Sequence, residues 1–258
     1  MRAKKSYGQN FLINEGVIEK IVDSFKQHNT SKNVLEIGPG KGALTRLLRA
    51  DSNINLKAVE ADIDMKEYLI EHEVLDDSQI INKDFLKLPM DRLFDGEQLS
   101  VIGNFPYNIS SQILFRIKKY VDLVPLMIGM FQKEVAERIV SQEGSKVYGI
   151  LSVLIQSQYD AKLLFNVSPG SFRPIPKVTS SVIMLIRKEN ITLPCDEKIF
   201  TTVVKLSFNK RRKMIRNSLK SLIVDNKILH HEYMTRRPEQ MKIEDYYTLA
   251  NLIENQKK

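Results

Sequence analysis

The run Val34-Leu35-Glu36-Ile37-Gly38-Pro39-Gly40-Lys41-Gly42 constrains this chain more than any other stretch. It reads as a buried strand that enters a glycine-rich turn, with a helix beginning near Ala43. The text on either side extends the pattern. Strand-like runs at 33–37, 56–60, 79–82, 99–103 and 126–131, with a late β-rich region ending in 180–186, alternate with helix-like periodicity at 16–26, 43–49, 64–72, 111–120 and 133–141. Such alternation predicts βαβ crossovers and a mostly parallel sheet with helices on both faces.

After Arg187 the pattern changes. Residues 188–196 contain Pro194 and read as a linker, and the remainder to Lys258 shows helical periodicity without a convincing strand. Within 211–223, Met214, Ile215, Leu219 and Leu222 fall on one arc at helical spacing, and Arg212, Lys213, Arg216 and Lys220 fall on another. The expected organisation is an α/β domain over residues 1–187 and a small all-helical domain over 188–258. A length of 258 residues supports a sizeable core. Composition, 43% hydrophobic and 27% charged, argues against wholesale disorder and against a membrane protein. No apolar run approaches the roughly 18 residues of a spanning helix. Without a signal-peptide core after Met1, and with Cys195 as the one cysteine, a cytoplasmic protein free of internal disulfides is expected.

The net charge of +8 is unevenly placed. Residues 205–220 hold seven basic and no acidic side chains, and residues 1–9 add Arg2, Lys4 and Lys5, so the rest of the chain sums to −2. A near-neutral body with two cationic patches suits a polyanion such as nucleic acid.

Open α/β sheets bind nucleotides beside such a glycine turn, where strand order reverses. Glu60, 22 residues after Gly38, closes the next strand, where its carboxylate can accept both hydroxyl protons of a ribose. Gly38, Gly40 and Ala43 also satisfy a dinucleotide pattern. Two features favour S-adenosylmethionine instead. Glu36 precedes the first glycine in E-x-G-x-G, and Lys83-Asp84-Phe85 follows the third strand, where Asp84 can accept from an adenine amino group and Phe85 can cover the ring.

The fourth strand ends in Gly103-Asn104-Phe105-Pro106-Tyr107-Asn108-Ile109-Ser110. Its Asn-x-Pro-Tyr unit resembles the catalytic motif of methyltransferases acting on exocyclic amino groups of bases. Such an amine is a poor nucleophile, because its lone pair is delocalised into the ring, and orientation is the larger demand. The Asn104 side-chain oxygen can accept one amino hydrogen and a main-chain carbonyl the other. Tyr107 offers a face for the base, and stacking of this kind is worth about 1–3 kcal/mol. In Ser171-Phe172-Arg173-Pro174-Ile175-Pro176, Phe172 reads either as a cover for the other face of a flipped-out base or as a loop anchor in the core.

Together these motifs resemble the ribosomal RNA adenine N6,N6-dimethyltransferases of the kasugamycin-sensitivity (KsgA) type. The resemblance runs from Gly8-Gln9-Asn10-Phe11-Leu12 through the motifs above to Leu206-Ser207-Phe208-Asn209-Lys210-Arg211-Arg212-Lys213 and on to Lys220. It implies a Rossmann-like S-adenosylmethionine-dependent methyltransferase fold with a small C-terminal helical domain for RNA and ribosome docking. It implies cofactor contacts at Asn10, Leu12, Gly38, Glu60, Asp84 and Asn104, and the carbonyl of Pro106 as second acceptor beside Asn104. The implied substrate is a pair of adjacent adenosines in the 3′-terminal hairpin of small-subunit rRNA, each dimethylated, within a 30S-like particle. Lys4, Lys5, Lys210, Arg211, Arg212, Lys213, Arg216 and Lys220 are the expected RNA contacts.

The macrolide-resistance (Erm) methyltransferases of large-subunit rRNA share the first domain's motifs but lack the Phe-Asn-x-Arg-Arg-Lys stretch. A non-catalytic ribosome-assembly factor and a DNA adenine methyltransferase are the remaining alternatives. Phe105 departs from the family's usual Leu and is expected to repack behind the site. None of His28, His72, His230 and His231 lies in a metal-ligand pattern, so direct transfer without metal is expected, by a monomer that binds no membrane.

Overall fold

The computed structural model describes Lys4 and residues 8–256. In chain order its elements are β1 (Phe11–Leu12), α1 (Glu15–His28), β2 (Asn33–Ile37), α2 (Thr45–Arg49), β3 (Asn55–Val59), α3 (Ile63–Glu71), β4 (Ile80–Ile81), β5 (Leu99–Asn104), α4 (Ser110–Lys119), β6 (Leu126–Gln132) and α5 (Lys133–Val140). There follow α6 (Ile150–Gln156), β7 (Tyr159–Val167), β8 (Phe172–Arg173), β9 (Ser180–Arg187), α7 (Glu197–Asn209), α8 (Ile215–Ser218) and α9 (Ile243–Asn255). They form two compact units, Met1–Ala136 with Asp160–Arg187, and Glu137–Tyr159 with Lys188–Lys258.

The first unit is built on a seven-stranded sheet of order β4-β3-β2-β5-β6-β9-β7, parallel from β4 to β6 and antiparallel between β6 and β9. The order reverses between β2 and β5, which puts a crevice at their C-terminal ends. All five residues of β2 are buried, as expected of a strand covered on both faces. Its polar first residue is satisfied: Asn33 donates to Glu97 Oε2 at 2.9 Å and accepts from Asn55 at 2.9 Å. Val34, Ile102, Ile128 and Met184 bring four strands into one core, against which α1 packs Ile21, Val22 and Phe25. Asn14 fixes the start of α1 by accepting from Val17 N at 3.1 Å.

The second unit is helical, and the sequence boundary at 187 differs from the compact division. Residues 137–159, which include α6, belong with the C-terminal helices. Within this unit Arg211 donates to Ser145 O at 3.2 Å, Gly144 N to Glu239 O at 2.6 Å, and Tyr247 to Ser157 O at 3.3 Å. Asp196 caps α7 by accepting from Ile199 N at 2.8 Å. Ring pairs Phe200–Tyr247 at 5.0 Å and Phe208–Tyr246 at 6.0 Å line α7 against α9. Cys195 is half-buried, and burial pushes its thiol up to about 11, so it stays protonated near neutrality.

The amphipathic helix expected over 211–223 is broken. α7 stops at Asn209, Lys213 N closes a turn on Lys210 O at 2.7 Å, and Met214 is extended, so only Ile215–Ser218 is helical. Ile215 N bonds Arg236 O at 2.9 Å in place of a carbonyl one turn back. In a continued helix Lys210 would face Lys213 at i,i+3 and Arg212 would face Arg216 at i,i+4, like-charge pairs that disfavour the closed form. The apolar arc survives in part, with Ile215 and Leu219 fully buried and Met214 exposed.

Candidate active site

The crevice beside β2 and β5 opens into a cavity of about 450 Å³ lined wholly by residues of the first unit. That size lies within the range of small-molecule and cofactor sites. Its first wall is the turn after β2. Gly40 has φ +55, with the Phe11 ring 3.2 Å from where a Cβ would stand, and at Gly42 a Cβ would meet Val74 at 2.5 Å. Only glycine makes this turn so tightly, and the turn brings Gly38 and Gly40 to the cavity wall.

Glu60 stands just beyond β3, almost wholly buried. Its Oε1 accepts from Asp62 N at 2.9 Å and its Oε2 from Gly40 N at 3.4 Å. One donor on each oxygen leaves further lone pairs for a ligand. Burial raises its pKa, and the backbone N–H donors act the other way. Glu36 is 1% exposed and lines the same cavity, and its Oε2 has no hydrogen-bond partner. Burial pushes this carboxyl up to about 7, partly offset by the Thr45 hydroxyl. Asp84 accepts from Leu86 N at 2.9 Å and Phe85 is 4% exposed, so the cavity meets only a sliver of the ring.

Asn104 ends β5 and donates from Nδ2 to the Asn10 carbonyl at 2.9 Å. Pro106 O accepts from Ile109 N at 3.2 Å, which leaves its second lone pair. The Tyr107 hydroxyl meets Ser180 Oγ at 2.5 Å, fixing the half-buried ring. Ser180, on β9, carries no sequence signal, since it lies 73 residues away. Phe105 turns inward at 1% exposure, edge-on to Phe131 at 5.1 Å. Its ring lies over Gly103 and Gly129, register partners on β5 and β6, and a Cβ on Gly129 would come within 2.2 Å of it.

Asn10 and Leu12 line the cavity, and Leu12 pairs with Phe172 across β1 and β8. That pairing corrects one expectation. Phe172 is fully buried in the core cluster and is absent from the cavity wall, so it anchors its loop and has no face free for a base. A second correction concerns Lys4. Its Nζ lies 2.6 Å from Asp62 and 2.7 Å from Asp64 while the side chain is 36% exposed, so its charge is answered by two carboxylates at short range and is not a free cation of a basic tail. Lys5 lies outside the described residues. In the second unit, Lys210, Arg212, Lys213, Arg216 and Lys220 are exposed, while Arg211 is half-buried on Ser145. Among the described residues no group of three His, Cys, Asp or Glu side chains is placed to hold a metal ion, and no helix is long and apolar enough to cross a membrane.

The sheet order, the glycine turn and the Asn-Phe-Pro-Tyr loop at the end of β5 define a methyltransferase of the Rossmann-like class. The pattern of the ribosomal RNA adenine dimethylase family matches residues 1–255, and the chain belongs to that family of S-adenosylmethionine-dependent enzymes. It is 47% identical over 255 residues to the ribosomal RNA small subunit methyltransferase A of Flavobacterium johnsoniae, covering 98% of this chain and 97% of that protein. The protein of the same name from Bacteroides thetaiotaomicron is 44% identical, with 98% and 95% covered. Among solved structures, a dimethyladenosine transferase from Plasmodium falciparum superposes with a TM-score of 0.77 at 25% identity over 96% of this chain and 98% of its own. The 23S rRNA methyltransferase ErmE shares the fold, at TM-score 0.64 and 22% identity over 94% of this chain and all of its own.

Proposed function

We propose that this enzyme dimethylates, at N6, two adjacent adenosines in the 3′-terminal hairpin of small-subunit rRNA within a 30S-like particle, and so takes part in small-subunit biogenesis. The observation that carries this reading is Asn104. Its amide is turned with Nδ2 on the Asn10 carbonyl, which leaves Oδ1 as an acceptor at the cavity wall. The names of the curated relatives support the small subunit as the substrate's source.

The cavity fits S-adenosylmethionine. Glu60 retains lone pairs that would take ribose hydroxyls, Asp84 and Phe85 line the wall and would take the adenine, and the unpartnered Glu36 Oε2 leaves a polar atom of the wall open to a ligand. Gly38, Gly40, Asn10 and Leu12 complete the lining. Bound there, this cofactor supplies a methyl group activated by a sulfonium.

Asn104 Oδ1 and the free lone pair of Pro106 O accept the two amino hydrogens and so aim the nitrogen lone pair, while Tyr107, pinned by Ser180, stacks on the base. No strong base is required, since orientation carries the rate. The exposed cations of 210–220 take up rRNA phosphates. Incubation with tritiated S-adenosylmethionine and, in parallel, unmethylated small subunits, large subunits and DNA tests the reading. Label is expected on small subunits alone, at two neighbouring adenines. Label on large subunits or DNA overturns it.

A further inference from the structure

The catalytic loop and the cofactor wall are joined by a closed set of contacts centred on Asp62, a residue outside every motif of the sequence. Lys4 N donates to Gln9 Oε1 at 2.8 Å, and Gln9 Nε2 donates to Asp62 Oδ2 at 2.9 Å. Lys4 Nζ returns to Asp62 Oδ1 at 2.6 Å and also reaches Asp64. Asp62 is 1% exposed, caps α3 by accepting from Asp64 N at 3.2 Å, and donates its own N–H to Glu60 Oε1. Immediately after Gln9 comes Asn10, whose carbonyl accepts from Asn104 Nδ2.

A backbone carbonyl only accepts, so the atom of Asn104 that faces it must be the amide nitrogen. Without that carbonyl, the two ends of the Asn104 amide have no reason to prefer this orientation. The flipped amide would present N–H groups to an amine whose own hydrogens need acceptors. Building on the function proposed above, we propose that Lys4 and Gln9 are positioning residues for methyl transfer: by clasping Asp62 they hold the Asn10 carbonyl where it fixes the Asn104 amide with Oδ1 toward the target nitrogen. The same clasp ties that orientation to Glu60, since Asp62 serves both.

Removing a clamp far from the chemistry acts through small misplacement, which costs up to roughly a hundredfold in rate. Lys4→Met and Gln9→Ala are expected to lower the saturated single-turnover rate of transfer roughly tenfold. The KM for small subunits and its salt dependence should stay at the wild-type value, and Lys4→Arg should restore most of the rate. Because both residues act in one clasp, the double variant should cost little more than either alone. A phosphate-binding Lys4 gives the opposite split, with a raised KM, a shallower salt slope and an unchanged saturated rate, and that result overturns the proposal.

A second readout needs no substrate. The Asn104 side-chain amide protons, assigned in an NMR spectrum by their loss in Asn104→Ala, should exchange slowly in the wild type and faster in Gln9→Ala, with the unfolding midpoint unchanged. Equal exchange in the two proteins defeats the clasp. A wild type that methylates no small subunit but shows this difference defeats the functional reading and leaves the clasp standing.

Discussion

The two units use charge in opposite ways. Around the cavity of the first, the carboxylates are buried or answered at short range: Glu60 has a backbone donor on each oxygen, Asp62 holds Lys4 and Gln9, and Glu36 lies at 1% exposure. In the second, the cations at 210, 212, 213, 216 and 220 face solvent. A buried, partnered charge has one geometry and can hold a reacting group in place, whereas an exposed one keeps its long-range field and adapts to a flexible polyanion. The function proposed above accordingly places chemistry and attraction in different parts of the chain.

The sharpest way to break this contrast is at Asn104. Asn104→Ala is expected to lower methyl transfer by roughly 10²- to 10³-fold, as for loss of one preorganised polar group in a catalytic site. RNA affinity should hold, and a normal rate in a single-turnover assay would remove Asn104 from its role. Replacing Arg212, Lys213 and Arg216 together by Gln should act on the other side, weakening RNA binding and flattening log K against log salt by about 2–3. A titration series in salt checks this, and an unaltered slope would make these cations a solvated face.

Glu60→Ala should weaken S-adenosylmethionine binding by roughly 10- to 100-fold, the range for hydrogen bonds to a buried charged group. Calorimetric titration reads it directly, and unchanged affinity rules out the ribose contact. The smallest effect is on stability. Glu36 titrates near 7 in the folded protein and near 4.5 when exposed, so between those values the fold keeps a proton that the unfolded chain has released. Stability from this group is therefore present at low pH and declines as pH rises through that window. Glu36→Gln removes the decline, so it should gain at pH 8 relative to wild type, by about 3 kcal/mol at most, and gain nothing at pH 4. Urea unfolding at both values checks it, and an equal gain at each would place the cause elsewhere.

Much of the first unit was legible in the sequence because its elements obey local rules. β2 is largely apolar and fully buried, the glycine turn needs positive φ, and Asn104 ends a strand at the switch point. What escaped depends on partners distant in the chain. Phe172 reads equally as a base cover or an anchor until β8 is seen to pair with β1. Lys4 looks like any cation of a basic N-terminus, because Asp62 lies 58 residues away. Residues 150–156, Ile-Leu-Ser-Val-Leu-Ile-Gln, form a short apolar run whose periodicity does not separate a buried helix from a strand. Their membership of the helical unit shows in the packing of α6 against α7, and beside it in the bond from the Tyr247 hydroxyl to Ser157 O at 3.3 Å.

The division of labour is tested most directly by the saturated single-turnover rate of the Arg212, Lys213 and Arg216 to Gln variant on unmethylated small subunits. At RNA concentrations high enough to fill the site, the expected rate equals that of the wild type, with all of the loss in the concentration needed to reach it. A saturated rate that falls as it does in Asn104→Ala would contradict the separation of chemistry from attraction.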